Sequence, residues 1–594
     1  MKTQTNPLTG LKFRGGADST LKKAARCGQT AEFQKAMTKH HRTARKRLET
    51  SIASGESSIL WSAEEIGISP TDRKLTSLLR GTKTEQLTAR SSATAALSAG
   101  EFRPLLILIG VDTLIRHGRK LSKSEYAALY TALSHVDKIV PDSGTGDEHQ
   151  QSIQQLICDG ELPLLLSLVL GDLQGQTAQF RAAAKVLRQG LDAGTDSDGM
   201  LHAGLISSAD AWLAPLVRSA HWGSAFRCSW MKPKDTYRFA DTVRACTVLL
   251  VQTGLVNRPP RQLSSVDRSV ADILQHGIQA VGMRESSPFA SFVRAHIQGK
   301  RRTGSAKTRK RQLATSNQSD WAEMAVMRSG LKVDSDVCVV NWDRPELSIH
   351  LAVLNTPLLS GIWSSELTVN GKVTGPIEGW KCSCWFSDEE AAFIELEADP
   401  SDSVHVVRHV MLALQDRMGV ICESVTTDSA EQTVRLKNQL HLASSPLAVT
   451  NSITREIALH ADCVSTRVIP AWLEDDRIRH ASGHFEAADG LLTSEAEDLG
   501  GTSMPLILDW HPERQAYDAD WNRLTVTEAR TVLHGRNAAG FRVRIGKHQL
   551  LIYRSLRAGQ GPRAVMGLHT MNETVYGRVR KSGEVAPLVL VERE

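Results

Sequence analysis

No stretch of this 594-residue chain approaches 18 consecutive apolar residues. That excludes a conventional membrane-spanning helix, and the richest runs, 105–110 and 162–170, suit buried helices better. Residues 1–7 lack an apolar core of signal-peptide length. As written, the chain is expected to stay in the cytoplasm; a start site elsewhere would leave a periplasmic or secreted location open. No C-x-x-C pair occurs among the nine cysteines, and no second half of a four-ligand zinc site accompanies the one close pair, Cys382-Ser383-Cys384. Most of the thiols therefore read as small buried apolar groups in a reducing compartment. If 382–384 is a strand, its two thiols are expected side by side on one face.

Neither charge sign dominates: 71 Lys and Arg face 65 Asp and Glu, a net charge of +6. The distribution matters more than the size. One basic cluster runs from Lys300-Arg301-Arg302 through Lys307, Arg309, Lys310 and Arg311, and a second covers His40-His41-Arg42 with Arg45, Lys46 and Arg47. Such runs read as solvated linker or helix face, or as attraction to a polyanion. No recognised nucleic-acid module accompanies them, so nucleic acid is not the expected partner. With 41% hydrophobic and 23% charged residues, the chain is neither disordered nor collagen-like. At about 150 residues per domain it holds three or four domains, or two large ones.

The periodicity changes near residue 320. Residues 1–100 are polar, with weak helical signals. From 101 to 299, helical spacing recurs in 105–116, 126–133, 152–158, 162–170, 178–191, 207–219 and 238–251. Ser122 followed three residues later by Glu125 is a capping box. Short Gly- and Pro-marked connections argue for packed helices in a bundle or an α/α toroid. Residues 300–319, nearly free of apolar side chains, read as a basic linker or loop. Beyond 320 the period shifts to two. Phe541, Val543 and Ile545 alternate with Arg542 and Arg544, a strand with one solvated cationic face. Asn370-Gly371 is the best hairpin turn, and Asp399-Pro400, Ser482-Gly483, Asp489-Gly490 and Ser582-Gly583 punctuate further strands. Helices first and strands second predict an α-helical domain followed by a large antiparallel β-sandwich domain over 320–594.

Several β-half motifs carry a family resemblance. Ala325-Val326-Met327-Arg328-Ser329-Gly330 resembles the Arg-Ser-Gly strand that opens the β domain of heparinase II/III-like proteins, which belong among the polysaccharide lyases. Glu346-Leu347-Ser348-Ile349-His350-Leu351, with Pro357-Leu358-Leu359, is similar to their Ser-Phe-Glu-Leu strand and Pro-Leu-Leu turn. Leu367-Thr368-Val369-Asn370-Gly371 is similar to their Thr-Val-x-(Asp/Asn)-Gly turn, and Val406-Val407-Arg408-His409 with Asp416-Arg417 resembles their Arg-containing strand and Lys/Asp-Arg hairpin. These motifs span roughly 320–430; elsewhere the likeness is one of architecture.

The resemblance implies β-elimination on acidic polysaccharide at uronate residues. That chemistry needs a neutraliser for the carboxylate, a base for the C5 proton and an acid for the leaving O4. No cofactor is expected for this chain. One departure matters: where the family carries a His-rich element, this chain has Asn341-Trp342-Asp343-Arg344-Pro345-Glu346-Leu347-Ser348, so no β-domain histidine or metal support carries over.

Candidates therefore fall in the helical half. Asp196-Ser197-Asp198-Gly199-Met200-Leu201-His202 resembles the family's Asp-Gly turn, and His202 is a catalytic candidate there or a turn-capping residue. Tyr237, beside Arg238 at a probable helix start, is the candidate base, its anion favoured by the neighbouring guanidinium, or a packed aromatic. Arg238, Arg218 and His221 are the candidate substrate-binding cations, although Arg218 and His221 also suit a helix C-terminus through the dipole alone. Widely spread histidines, including His480 and His484, suggest no metal site. In the β half, Trp342, Trp363, Trp380, Trp385, Trp472, Trp510 and Trp521 read as core before sugar-stacking platforms. Acidic polysaccharide is the expected partner and a homodimer is left open. A non-catalytic carbohydrate- or polyanion-binding protein on the same scaffold is the alternative.

Overall fold

The computed structural model describes residues 7–51, 58–61, 70–136, 139, 148–251, 254–255, 267–298, 315–443, 446–462, 464–481 and 483–593. The basic cluster at 300–311 and the Ser482 turn position lie outside the described residues. The chain divides into two compact units, Met1–Thr247 with Ser264–Ile297, and Val248–Leu263 with Gln298–Glu594.

The first unit is helical. The polar first hundred residues already contribute, because Thr30–His40 and Arg42–Ser51 bury Phe33, Met37 and Leu48. The second basic cluster lies on these helices and is partly turned inward: His41 is buried, and Arg47 Nη1 donates to the Ala225 carbonyl at 3.2 Å. Helix Lys123–Ser134 starts on the expected capping box. Glu125 N donates to Ser122 Oγ at 3.2 Å, and Ser122 N donates to the Glu125 carboxylate at 2.8 Å. Its Tyr126, Leu129, Tyr130 and Leu133 face inward at helical spacing. Pro104–Asp112 is buried on every side, as its unbroken apolar run requires.

The second unit stacks antiparallel sheets. Its eight-stranded sheet runs in the order Leu447–Thr450, Ile457–Ala461, Val464–Pro470, Gly501–Asp509, Met418–Thr427, Val404–Ala413, Ala391–Ser401, Lys381–Ser387. One face packs on a nine-stranded sheet that includes Val337–Asn341, Ser348–Val353 and Thr356–Val369. The other packs on a five-stranded sheet that includes Ala538–Ile545, His548–Ser555 and Thr574–Val579. Alternate residues feed the two cores: Ala392 and Ile394 enter the first, Ala391 and Phe393 the second. A sheet covered on both faces explains why Gly501–Asp509 is buried at every position.

Asn370 and Gly371 both take positive φ, 50° and 76°, in the hairpin Val369↔Lys372, the two-residue turn that Asn-Gly favours. Asp489-Gly490 does the same. Asp399-Pro400 does not turn; the strand continues to Ser401 through a register shift. Arg544 is exposed beside buried Val543 and Ile545, the expected cationic face. Trp342, Trp363, Trp380, Trp510 and Trp521 are buried core.

The cysteine pair departs from expectation. Cys384 pairs with Glu395 and Cys382 with Leu396, leaving Ser383 as an extra residue. This bulge breaks the alternation. Cys382 packs on the core shared with the nine-stranded sheet, and Cys384 on the core shared with the five-stranded sheet. The two thiols thus lie on opposite faces.

Candidate functional site

The turn at 194–204 is built by one carboxylate. Asp196 Oδ1 accepts from Asp198 N at 3.0 Å and Met200 N at 2.8 Å, and Thr195 bridges Leu201. Gly199 sits at φ 78°, where a Cβ would lie 2.6 Å from the Asp241 carbonyl carbon. Only glycine lets the turn approach helix Pro233–Val248 this closely.

His202 ends the turn as N-cap of the short helix Ala203–Ser208, its Nδ1 accepting from Gly204 N at 3.2 Å. An accepting Nδ1 puts the neutral ring's proton on Nε2, making that atom a donor.

Arg238 reaches the same turn from helix Pro233–Val248. Its Nε donates to the Asp196 carbonyl at 2.9 Å, its Nη2 to the Thr195 carbonyl at 3.1 Å, and its Nη1 pairs with Asp192. The guanidinium expected to favour the Tyr237 anion is therefore committed to the turn. Tyr237 itself is 74% exposed. The structure thus gathers His202 and Arg238 on one turn, with Tyr237 adjoining Arg238 in sequence.

Arg218 and His221 lie elsewhere in the unit. The helix Ala209–Phe226 runs past both, so neither stands at a helix end. Arg218 is 2% exposed. Its Nε and Nη2 meet the Glu161 carboxylate at 2.5 and 2.9 Å, and its Nη1 donates to the Ser58 and Trp61 carbonyls at 3.2 and 3.1 Å. His221 is buried beside His276, its Nε2 2.9 Å from the His276 carbonyl, and burial pushes it down to about 4. In this arrangement both residues support the helical core.

Sequence reasoning missed two buried ionic clusters in the β unit. Neighbours Arg408 and His409 point to opposite faces of the eight-stranded sheet. Arg408 lies between the Trp363 and Trp380 rings, 4.6 and 4.4 Å from their centroids, and 3.3 Å from Glu423. His409 Nε2 lies 2.7 Å from Glu395, which also meets Arg554 Nη1 at 2.8 Å, while His409 Nδ1 is 3.2 Å from the Tyr576 hydroxyl. Burial alone would raise the Glu395 carboxyl, but the charge and hydrogen bond of His409 and the charge of Arg554 bring it to about 2. With His409 and Tyr576 at 1% and 0% exposure, this cluster is closed to substrate and ties two sheets together. Single Arg, His and Glu residues inside otherwise apolar strands are the only signal that could have found it. Among the described residues, no group of three His, Cys, Asp or Glu side chains is placed to hold a metal ion, and no helix is long and apolar enough to cross a membrane.

No protein-family model matches the chain, and no curated protein matches it. Solved structures do. The heparan sulfate lyase HepC from Pedobacter heparinus is similar over 93% of this chain and 99% of its own, at 10% identity and a TM-score of 0.57. A HepC mutant reaches a TM-score of 0.59 at 11% identity, covering 94% of this chain and 100% of that one. A structure described as heparinase III is similar over 93% of this chain and 99% of its own, at 10% identity and 0.57. At such identities the likeness establishes the fold: a helical domain followed by antiparallel β-sheets.

Proposed function

We propose that this chain engages acidic polysaccharide and acts on it by β-elimination at uronate residues. The observation that carries the reading is a likeness to a heparan sulfate lyase that spans 93% of this chain and 99% of the other, rather than one shared domain. In the proposed reaction Tyr237, as the base, takes the C5 proton. The C4–O4 bond breaks, its electron pair leaves with O4, and a C4=C5 double bond forms. The His202 Nε2 proton goes to O4. Arg238 acts as a positioning residue, holding the turn from which His202 projects.

A second reading is favoured by one feature, the absence of histidine from 341–348: the scaffold binds the polymer without cleaving it. One experiment separates the two. Purified protein is incubated with heparin, heparan sulfate, hyaluronate, chondroitin, alginate and pectate, and the unsaturated product is followed by absorbance. Product from any of them that disappears in Y237F supports elimination. Retention on the polymer without product supports binding alone. Neither retention nor product overturns both.

A further inference from the structure

Outside the turn, the helical unit carries a groove of about 800 Å³ between helix Thr30–His40 and the start of helix Lys123–Ser134. Lys35, Arg119 and Lys123 line it, and among the described residues no acidic or aromatic side chain does. All three cations are exposed, and among the described residues none forms an ion pair. The acid nearest in sequence to Lys123, Glu125, is engaged in capping Ser122 N at 2.8 Å. The walls are tied before any ligand arrives, because Gln34 Nε2 donates to the Gly118 and Leu121 carbonyls at 2.8 and 3.0 Å. Thr38 and Ser124 add hydroxyls to the lining.

We infer that this groove is an anion subsite for a sulfated stretch of acidic oligosaccharide, separate from the turn that carries His202. Three unpaired cations in a preformed groove attract a ligand with several fixed negative charges. Hydroxyl-lined walls suit the hydroxyls and ring oxygens of a sugar. The lack of any aromatic platform disfavours single-stranded nucleic acid, whose bases need one. The volume falls within the roughly 300–1,000 Å³ of small-ligand sites. The glycan identity of the occupant rests on the function proposed above; the cationic groove does not.

The test uses the full chain, a fluorescent heparin hexasaccharide, its desulfated counterpart and a single-stranded DNA 12-mer. The expected result is binding of the sulfated probe that weakens at least about 10-fold in the K35Q/R119Q/K123Q variant, with a log–log salt dependence shallower by about 2. The desulfated probe should bind weakly to both proteins, and K35R/K123R should restore the affinity. Affinity of the triple variant within about twofold of wild type, at an unchanged melting temperature, overturns the inference. So does DNA binding of equal strength that depends on the same three residues. If wild type gives no unsaturated product yet its sulfated-probe binding requires these cations, the elimination reading fails and the subsite stands.

Discussion

Arg238 closes the turn built by Asp196: its Nε donates to the Asp196 carbonyl at 2.9 Å, while the Asp196 carboxylate holds the backbone of Asp198 and Met200 from inside. Removing the guanidinium in R238A frees two carbonyls and Asp192. A loss of about 1–3 kcal/mol is expected from these hydrogen bonds, two of them at partly buried sites. R238K should not restore it, because an ammonium cannot span both carbonyls in one plane. Urea midpoints check this, and equal stability of R238A and wild type would contradict the clamp.

Gly199 should tolerate no side chain. G199A forces a Cβ against the backbone of Asp241 at a φ of 78°, combining left-handed strain with a clash. A loss above about 2 kcal/mol is expected, read as a drop in urea midpoint. Glycines at open positive-φ turns such as Gly371, where nothing lies within 4 Å, should lose less.

Tyr237 gives the cleanest functional test. Its ring is 74% exposed, so Y237F should leave the melting temperature unchanged. If the phenol is the base, elimination should fall by about 10²–10⁴ in kcat, with glycan binding retained. Product formation by Y237F at the wild-type rate would remove it from the mechanism.

The buried pair Arg218–Glu161 should be costly to break from one side. E161Q leaves a guanidinium at 2% exposure without its counter-charge, and about 3–5 kcal/mol is expected to be lost. Replacing both partners with methionine should recover much of that. A double variant as unstable as E161Q would argue that the pair fixes the helix arrangement.

Acid should destabilise the protein early. Burial pushes His41, His221 and His350 down to about 3, 4 and 4. The unfolded chain takes up these protons near pH 6.5, so below that it holds more protons than the fold does. The histidines' contribution to stability is complete above about pH 6.5 and is lost as pH drops towards the folded values, at up to about 1.4 kcal/mol per histidine per pH unit. Glu395, held at about 2, adds a further loss below about pH 4.5. Asp336 opposes this trend: burial raises it to about 6, so its contribution is present below its unfolded value and is lost as pH rises through 6. Three histidines outweigh one carboxyl between pH 6.5 and 5. Melting temperatures should therefore fall over that interval and flatten in H221F; a constant melting temperature would contradict the assignment.

Local signals in the sequence carried the fold class well. The Ser122–Glu125 capping box, the Asn370-Gly371 turn and the switch of period near 320 each depend on neighbours a few residues apart, and each has its counterpart in the structure. The Asp196–Gly199 turn was legible for the same reason. Arg218 was not, because its partner Glu161 is 57 residues away and spacing within a helix cannot reveal an ion pair across helices.

The amino-acid sequence by itself determined where helices give way to strands, that Asn370-Gly371 and Asp489-Gly490 turn, and which faces are apolar, since these follow from dihedral preference and periodicity. Tertiary structure alone decided the rest. Packing a sheet on both sides sent Arg408 and His409 into opposite interiors. A single bulge at Ser383 separated the Cys382 and Cys384 thiols. The approach of a second helix turned Arg238 from a free cation into the clamp of a turn. A charge's role depends on what it meets in space, and one-dimensional order does not encode that meeting.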